Sequence, residues 1–345
     1  MTTATNLRTV PLARRFLTFT WGVVALVVLV LAIALIFQPS IFVDTLVTGG
    51  MWALMAGGLA LVFGVMNIPN FAHGEMFMIG GLVSWVIYQP IRDAFLNDPK
   101  NMFLQVVGPI PGILVAAVVG FLVGVLLETV LFRALRKRSR DQWVMNTFLL
   151  TAGVSVMLVN GDRMVFGNDY RGVPRYWDVH SLQILGVPVA VDRIAVFVIA
   201  MISIGVFSYF LQRTRTGRAM RAVSQDETGA QMAGISLNRI FMLTMGLSCG
   251  LAALAGAALL SIFPNSPDVG VQPLYLAWYV VILAGLGNVQ GAIAGAFIVS
   301  LLQTLAVTYL GLGWVDVAPT AVIILILLFK PSGLFGSEVK GVWEQ

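Results

Sequence analysis

Apolar residues fall in long runs along the chain, with Trp21 to Phe37 and Val322 to Phe329 uninterrupted. In order, the runs are Phe16–Phe37, Thr45–Met66, Glu75–Gln89, Ile110–Phe132, Trp143–Asn160, Ile194–Leu211, Phe241–Phe263, Leu274–Leu286, Ala292–Leu310 and Val315–Phe329. A helix needs about 20 residues to cross a bilayer, so the pattern predicts an all-α polytopic transmembrane bundle of about ten membrane segments, some broken or short. The whole of 1–345 reads as one transmembrane domain. The first run is too long for a signal-peptide core and lacks a small-x-small cleavage site, so it is expected to remain as a spanning helix.

Two runs, Glu75–Gln89 and Leu274–Leu286, are short for a full crossing. Each adjoins residues that break or cap helices: Asn67-Ile-Pro-Asn-Phe-Ala-His-Gly74 in one case, Gly285-Leu-Gly-Asn-Val-Gln-Gly291 in the other. One reading makes them paired broken helices beside a solute pathway, where a protein-lined cavity tolerates irregular backbone. The other makes them turns at the membrane surface. The candidate pathway residues are Asn67, Asn70, Phe71, His73, Glu75, Asn288 and Gln290. Each has a plainer role open to it. Glu75 in the first turn of its helix favours the macrodipole, His73 can bond nearby backbone, and the asparagines can cap helix ends.

Composition narrows the class. Of 345 residues, 58% are hydrophobic and 11% charged, against about 25% charged in a soluble domain. That excludes a cytosolic enzyme, a disordered chain and a secreted disulfide scaffold. The net charge of +5 lies in short segments between the runs, and no basic stripe carries interleaved aromatics, so nucleic acid is not an expected partner. Arg133, Arg136, Lys137, Arg138 and Arg140 form one cluster, and Arg213, Arg215, Arg218, Arg221 and Arg239 another. The positive-inside bias puts both in the cytoplasm. Counting spans then places Arg8, Arg14 and Arg15 inside, with Lys330 and Lys340 against Glu338 and Glu344 at the other terminus, also inside. The loop Gly161–Arg193 falls outside.

Other residues carry less. Cys249 has no partner cysteine and reads as a small packing residue. Trp21, Trp143, Trp278 and Trp314 lie near run ends, where indoles favour the interface. Glu128 is expected to form a local ion pair or a snorkelling anchor. Glycines four apart (Gly120 and Gly124, Gly246 and Gly250, Gly287 and Gly291, Gly291 and Gly295) predict close helix packing. No nucleophile–base pair or carboxylate dyad marks an enzyme, and no metal site or cofactor is expected on this chain.

The longest polar stretch expected inside is the loop 212–240. Arg215, Arg218 and Arg221 recur every three residues, with Met220 and Val223 on another face. Ser224-Gln-Asp-Glu227 has capping-box spacing and predicts the start of a second short helix. Ala230, Met232, Ala233 and Ile235 supply its apolar contacts, and Gly234 suits a left-handed end. The pair of helices makes a docking surface; the alternative is a solvated basic loop that anchors topology.

These motifs form an ordered set: Asn70-Phe-Ala-His-Gly-Glu75, Gly217-Arg-Ala-Met-Arg-Ala222 through Ala233-Gly-Ile235, Ala284-Gly-Leu-Gly-Asn288 with Gly291, and Lys330-Pro-Ser-Gly-Leu-Phe-Gly336. The set resembles the permease subunits of branched-chain amino acid (Leu/Ile/Val-type) ABC importers, the H-type more than the M-type, from about Thr45 to Gly336. It departs at Gly-Asn-Val-Gln-Gly (287–291), where the family more often has Gly-Ser-Ile/Leu-Pro-Gly, and in a longer Asn97–Gly108 segment.

The resemblance implies a subunit of the bacterial inner membrane. It would pair with a second, homologous M-type permease, sit on two ABC ATPases and receive solute from a periplasmic binding protein. Arg215, Arg218, Arg221, Asp226, Glu227 and Gly234 would then belong to the ATPase-coupling segment. ATP would be used by the partners, because the chain has no phosphate loop of its own. The solute would be a branched-chain amino acid or a related small polar molecule such as urea or a short amide. The alternatives are a self-sufficient secondary transporter or channel, which calls for paired acids or basic relays in mid-span, and a membrane-embedded enzyme, which calls for a polar catalytic cluster.

Overall fold

The computed structural model describes residues 12–97, 107–138, 143–173 and 181–336. Outside them lie Arg8, Arg140, Glu338, Lys340, Glu344, most of the Asn97–Gly108 segment and the side chains of Arg14 and Arg15. All ten predicted runs fall on helices. These are α1 (Leu12–Phe37), α2 (Pro39–Met66), α3 (His73–Asn97), α4 (Pro109–Leu127), α5 (Trp143–Phe166), α6 (Val191–Arg213), two short helices α7 (Arg215–Gln225) and α8 (Glu227–Met232), then α9 (Leu237–Leu259), α10 (Val271–Ala284), α11 (Val289–Tyr309) and α12 (Val317–Phe329). α4 continues through a π-helical turn, Glu128–Phe132, into Arg133–Arg138. Among the described residues eight helices are long and apolar enough to cross a membrane, and α3 and α10 are not among them. The protein is a multi-pass membrane protein.

Two expectations change and one holds. α3 is not short: it runs for 25 residues, through Pro90. Arg92 and Asp93 end the apolar run before the helix ends. α10 is short, at 14 residues. Within Gly161–Arg193 the strands Leu182–Ile184 and Val187–Val189 form a small antiparallel hairpin, turned by Leu185 and Gly186, both at positive φ.

Small residues set the packing. α2 forms the centre, buried over most of its length. It runs alongside α6, so that a Cβ at Gly50 would lie 2.9 Å from the Phe197 ring, and Gly57 faces Phe207. α11 runs the opposite way along α2: Gly64 meets Gly287 at one end, and Ser300 donates to the Thr45 carbonyl at 2.9 Å at the other. α4 and α9 pack antiparallel through Gly120, Gly124, Gly246 and Gly250, as the four-residue spacing predicted. A Cβ at Gly124 would lie 2.5 Å from the Met245 carbonyl and 3.0 Å from the Cys249 sulfur. Between α3 and α9 the fit is tighter, with Gly80 against the Ala253 carbonyl and Gly256 against the Phe77 carbonyl.

α1 lies outermost, its span mostly exposed. It is tied in by Lys330, which donates to Thr20 Oγ1 at 2.9 Å and to the Leu334 carbonyl at 2.7 Å. Burial holds the Lys330 ammonium below the usual lysine range. The Lys330–Gly336 motif closes over the end of α10: Leu334 N–H donates to the Leu283 carbonyl and Phe335 N–H to that of Ala284. These carbonyls end a helix and lack intrahelical donors.

Candidate functional site

After α2 the chain turns back into the bundle. Asn67 caps α2 in the left-handed conformation, its N–H donating to the Phe63 carbonyl. Residues 68–72 then retrace the helix, and α3 begins beside its middle. The His73 ring lies 3.0 Å from the Met55 carbonyl and 3.4 Å from Ser248 Oγ, fully buried. It also packs on Gly58, about two turns or roughly 12 Å before the end of α2. The N-terminal break is therefore deep, not a surface turn.

A second break mirrors it. α9 ends at Leu259, and the segment 260–270 descends along α3. Asn265 meets Gly81, while Gly270 reaches Gly74, where a Cβ would lie 2.5 Å from the Gly270 carbonyl. The start of α10 thus touches the start of α3 in the interior. One re-entrant segment comes from each end of the bundle, an inverted arrangement of two helices that begin in mid-bundle.

Glu75 sits at this junction, 3% exposed. Ser155 on α5 donates to its Oε1. Its Oε2, which has no hydrogen-bond partner among the described residues, faces Gly270 at the start of α10. Glu75 is also in the first turn of α3. One carboxylate therefore meets the positive ends of two helix dipoles, each worth up to about 2 kcal/mol when partly buried. Glu75 thus lies in the first turn of its own helix, and its Oε2 reaches the start of a second without a hydrogen bond to it among the described residues. Arg163 and Asp268 pair at 2.7 Å beside the junction.

Asn70 accepts from Ala72 N–H at 3.1 Å and turns its amide to the Met245 sulfur. Phe71 lies between Phe148 of α5, centroids 4.9 Å apart, and Trp278 of α10, stacked at 5.8 Å. Phe63 meets the same indole edge-on at 6.2 Å. Asn70, Phe71, His73 and Glu75 thus come together. Trp278 joins them in mid-helix, and its expected place near a run end is corrected. Ser155, Phe148, Asp268 and Gly270 complete the site, and no local pattern marks them.

The remaining candidates lie elsewhere. Asn67 is exposed at the end of α2 and Gln290 is exposed on α11. Asn288 caps α11, accepting from Gly291 N–H at 2.8 Å, and donates to the Phe335 carbonyl. The 285–291 stretch is a tight turn, Gly285 and Gly287 at positive φ, level with the end of α2. It is not the partner of the first break; 260–270 is. The glycines allow backbones to meet there without a cavity.

The loop 212–240 folds into α7 and α8 as the periodicity predicted, with Met220, Val223 and Ala230 buried. Thr214 caps α7 through Gly217 N–H at 3.0 Å. Asp226, not Ser224, caps α8 through Gly229 N–H at 3.0 Å, and Ser224 donates to the Arg221 carbonyl. Gly234 ends α8 at φ +83°, with Ile235 N–H returning to the Ala230 carbonyl at 3.0 Å. Arg218 and Arg221 turn back to the carbonyls of Arg213 and Gln212 at 3.4 and 3.2 Å, fastening α7 to the end of α6. Arg215, Glu227 and Met232 remain exposed.

Comparison with known proteins agrees with this architecture. A family profile described as "Branched-chain amino acid transport system / permease component" matches residues 41–328. The high-affinity branched-chain amino acid transport system permease protein LivH of Salmonella typhimurium is 28% identical over 300 residues, 85% of this chain and 94% of the relative. LivH of Escherichia coli K12 is 27% identical over the same shares. BraD of Pseudomonas aeruginosa, a permease protein of the same description, is 27% identical over 306 residues, 87% and 96% of the two chains. No solved structure matches. The chain belongs to the branched-chain amino acid transport system permease component family.

Proposed function

We propose that this permease subunit carries branched-chain amino acids, or a related small polar solute, across the bacterial inner membrane by alternating access. Partner ATPases drive the cycle. The single observation that carries the reading is the meeting of two inverted half-helices at Glu75, because two re-entrant segments anchored on one carboxylate form an element that can tilt as a unit. α5 faces it through Ser155 and Phe148. α5 is the least apolar of the long spans and mostly unburied, and Gly153 and Gly161 on it have open space around them. We assign this open face to the solute path against a second permease. A periplasmic binding protein supplies the selectivity, and both termini and the α7–α8 pair lie in the cytoplasm.

The α7–α8 pair is the coupling element. Its end carries Met232, 80% exposed, a side chain suited to an ATPase cleft. Arg218 and Arg221 transmit its movement to α6 by holding the α6 carbonyls. Reversing both charges (Arg218→Glu with Arg221→Glu) is expected to leave insertion and ATPase association intact. Uptake should fall about tenfold, the equivalent of about 1.4 kcal/mol of lost coupling, when ATP hydrolysis and uptake are measured side by side. Equal uptake would remove these arginines from the coupling path.

The reading itself is tested by purification of the chain from its native membrane. Stoichiometric ATPase subunits, cross-linked through Met232→Cys, are the expected result; a chain purified without them that still transports would overturn it.

A further inference from the structure

We infer that a cleft between α4 and α9 binds the phosphate of an anionic phospholipid. The cleft encloses about 270 Å³. Glu128, Thr129 and Arg133 line one wall, from the π-helical turn and the residue after it. Ser236, Asn238 and Arg239, from the start of α9, line the other.

The charge balance favours an anion. Glu128 is buried and already paired with Arg136, whose guanidinium also lies over the Phe241 ring at 4.6 Å. Arg133 and Arg239 are exposed and form no ion pair among the described residues. Arg133 also lies within electrostatic reach of Glu128, so one carboxylate stands against the three guanidinium groups of Arg133, Arg136 and Arg239, and the balance is positive. Their forked donors suit phosphate oxygens.

The surface leading to the cleft favours a lipid over a free ion. On α4, Leu114, Val118, Leu122, Leu126 and Val130 are all exposed. At four-residue spacing they form an apolar stripe, a ridge inclined to the helix axis. The stripe ends within one turn of Arg133. A π-helical turn widens the helix at that point, and Thr129 folds its hydroxyl back onto the Val125 carbonyl at 2.8 Å, so it does not compete for the arginines. Acyl chains along the stripe place the headgroup between Arg133 and Arg239. An acidic protein surface would satisfy the arginines but leave the stripe unmatched.

The test is native mass spectrometry of the full-chain complex in detergent, titrated with phosphatidylglycerol and separately with phosphatidylcholine. The expected result is retention of phosphatidylglycerol over phosphatidylcholine. The double variant Arg133→Gln with Arg239→Gln should lose about 30-fold in affinity, about fivefold for each basic residue at an anionic headgroup. Both positions are exposed, so folding is unaffected. Lys137→Gln with Arg138→Gln serves as the control that keeps the affinity. Equal retention of both lipids, or an unchanged double variant, overturns the inference. So does displacement of the lipid by equimolar inorganic phosphate, which would make a small anion the ligand. Loss of a partner protein with lipid binding unchanged would make the cleft a protein contact and overturn it too.

Discussion

Replacing Gly80 with leucine is expected to leave almost no folded protein in detergent extracts, whereas Gly205→Leu gives wild-type yield. A Cβ at Gly80 would run into the Ala253 backbone, but Gly205 has open space around it. Overpacking a close helix contact costs about 1–3 kcal/mol, and more where backbone, not side chain, must move. In a bundle held by close packing rather than by a hydrophobic drive, the α3–α9 contact has no compensating term. Gly256→Leu, which meets the Phe77 backbone, should fail in the same way. Monodisperse yield on size exclusion reads the result directly. A folded Gly80→Leu protein would show that α3 and α9 do not approach as described.

The second large effect is at Glu75. Removing a carboxylate from water costs several kcal/mol even after relaxation. Two helix ends at up to about 2 kcal/mol each and one hydrogen bond to a charged group at about 1.5–3 kcal/mol offset most of that. The contributions nearly cancel, so Glu75→Gln should keep the fold, with a melting temperature within a few degrees of wild type. It loses the carboxylate placed between the starts of α3 and α10, and uptake is expected to fall about tenfold or more, one dipole interaction of about 1.4 kcal/mol. Glu75→Lys puts a cation against two positive helix ends and should not fold. A fully active Glu75→Lys protein would remove the junction from the mechanism.

Much of this was readable along the chain. Runs of apolar residues located every long helix, because a span must be apolar over most of its length. The α7–α8 pair was legible from Met220, Val223 and Ala230, whose spacing is local. So was Gly234, whose positive φ favours glycine. The partner of the 67–74 break was not. Pro264, Asn265, Pro267 and Asp268 fall between two apolar runs, and depth inside a bundle leaves no mark in a local pattern. The stretch 285–291 resembled a break because its glycines serve a tight turn as well as a membrane-depth one. α3 was read as short because Pro90, Arg92 and Asp93 interrupt the hydropathy but not the helix. Ser155 donates to a carboxylate on a different helix, a contact that only the fold creates.

The central claim is that this bundle moves solute only when an ATPase it does not contain works on it. Proteoliposomes holding the chain with its co-purified ATPases and receptor should accumulate labelled branched-chain amino acid when ATP is supplied. The same chain without ATPases should accumulate none under an imposed proton or sodium gradient. Uphill uptake by the chain alone, driven by either ion gradient, would contradict the account.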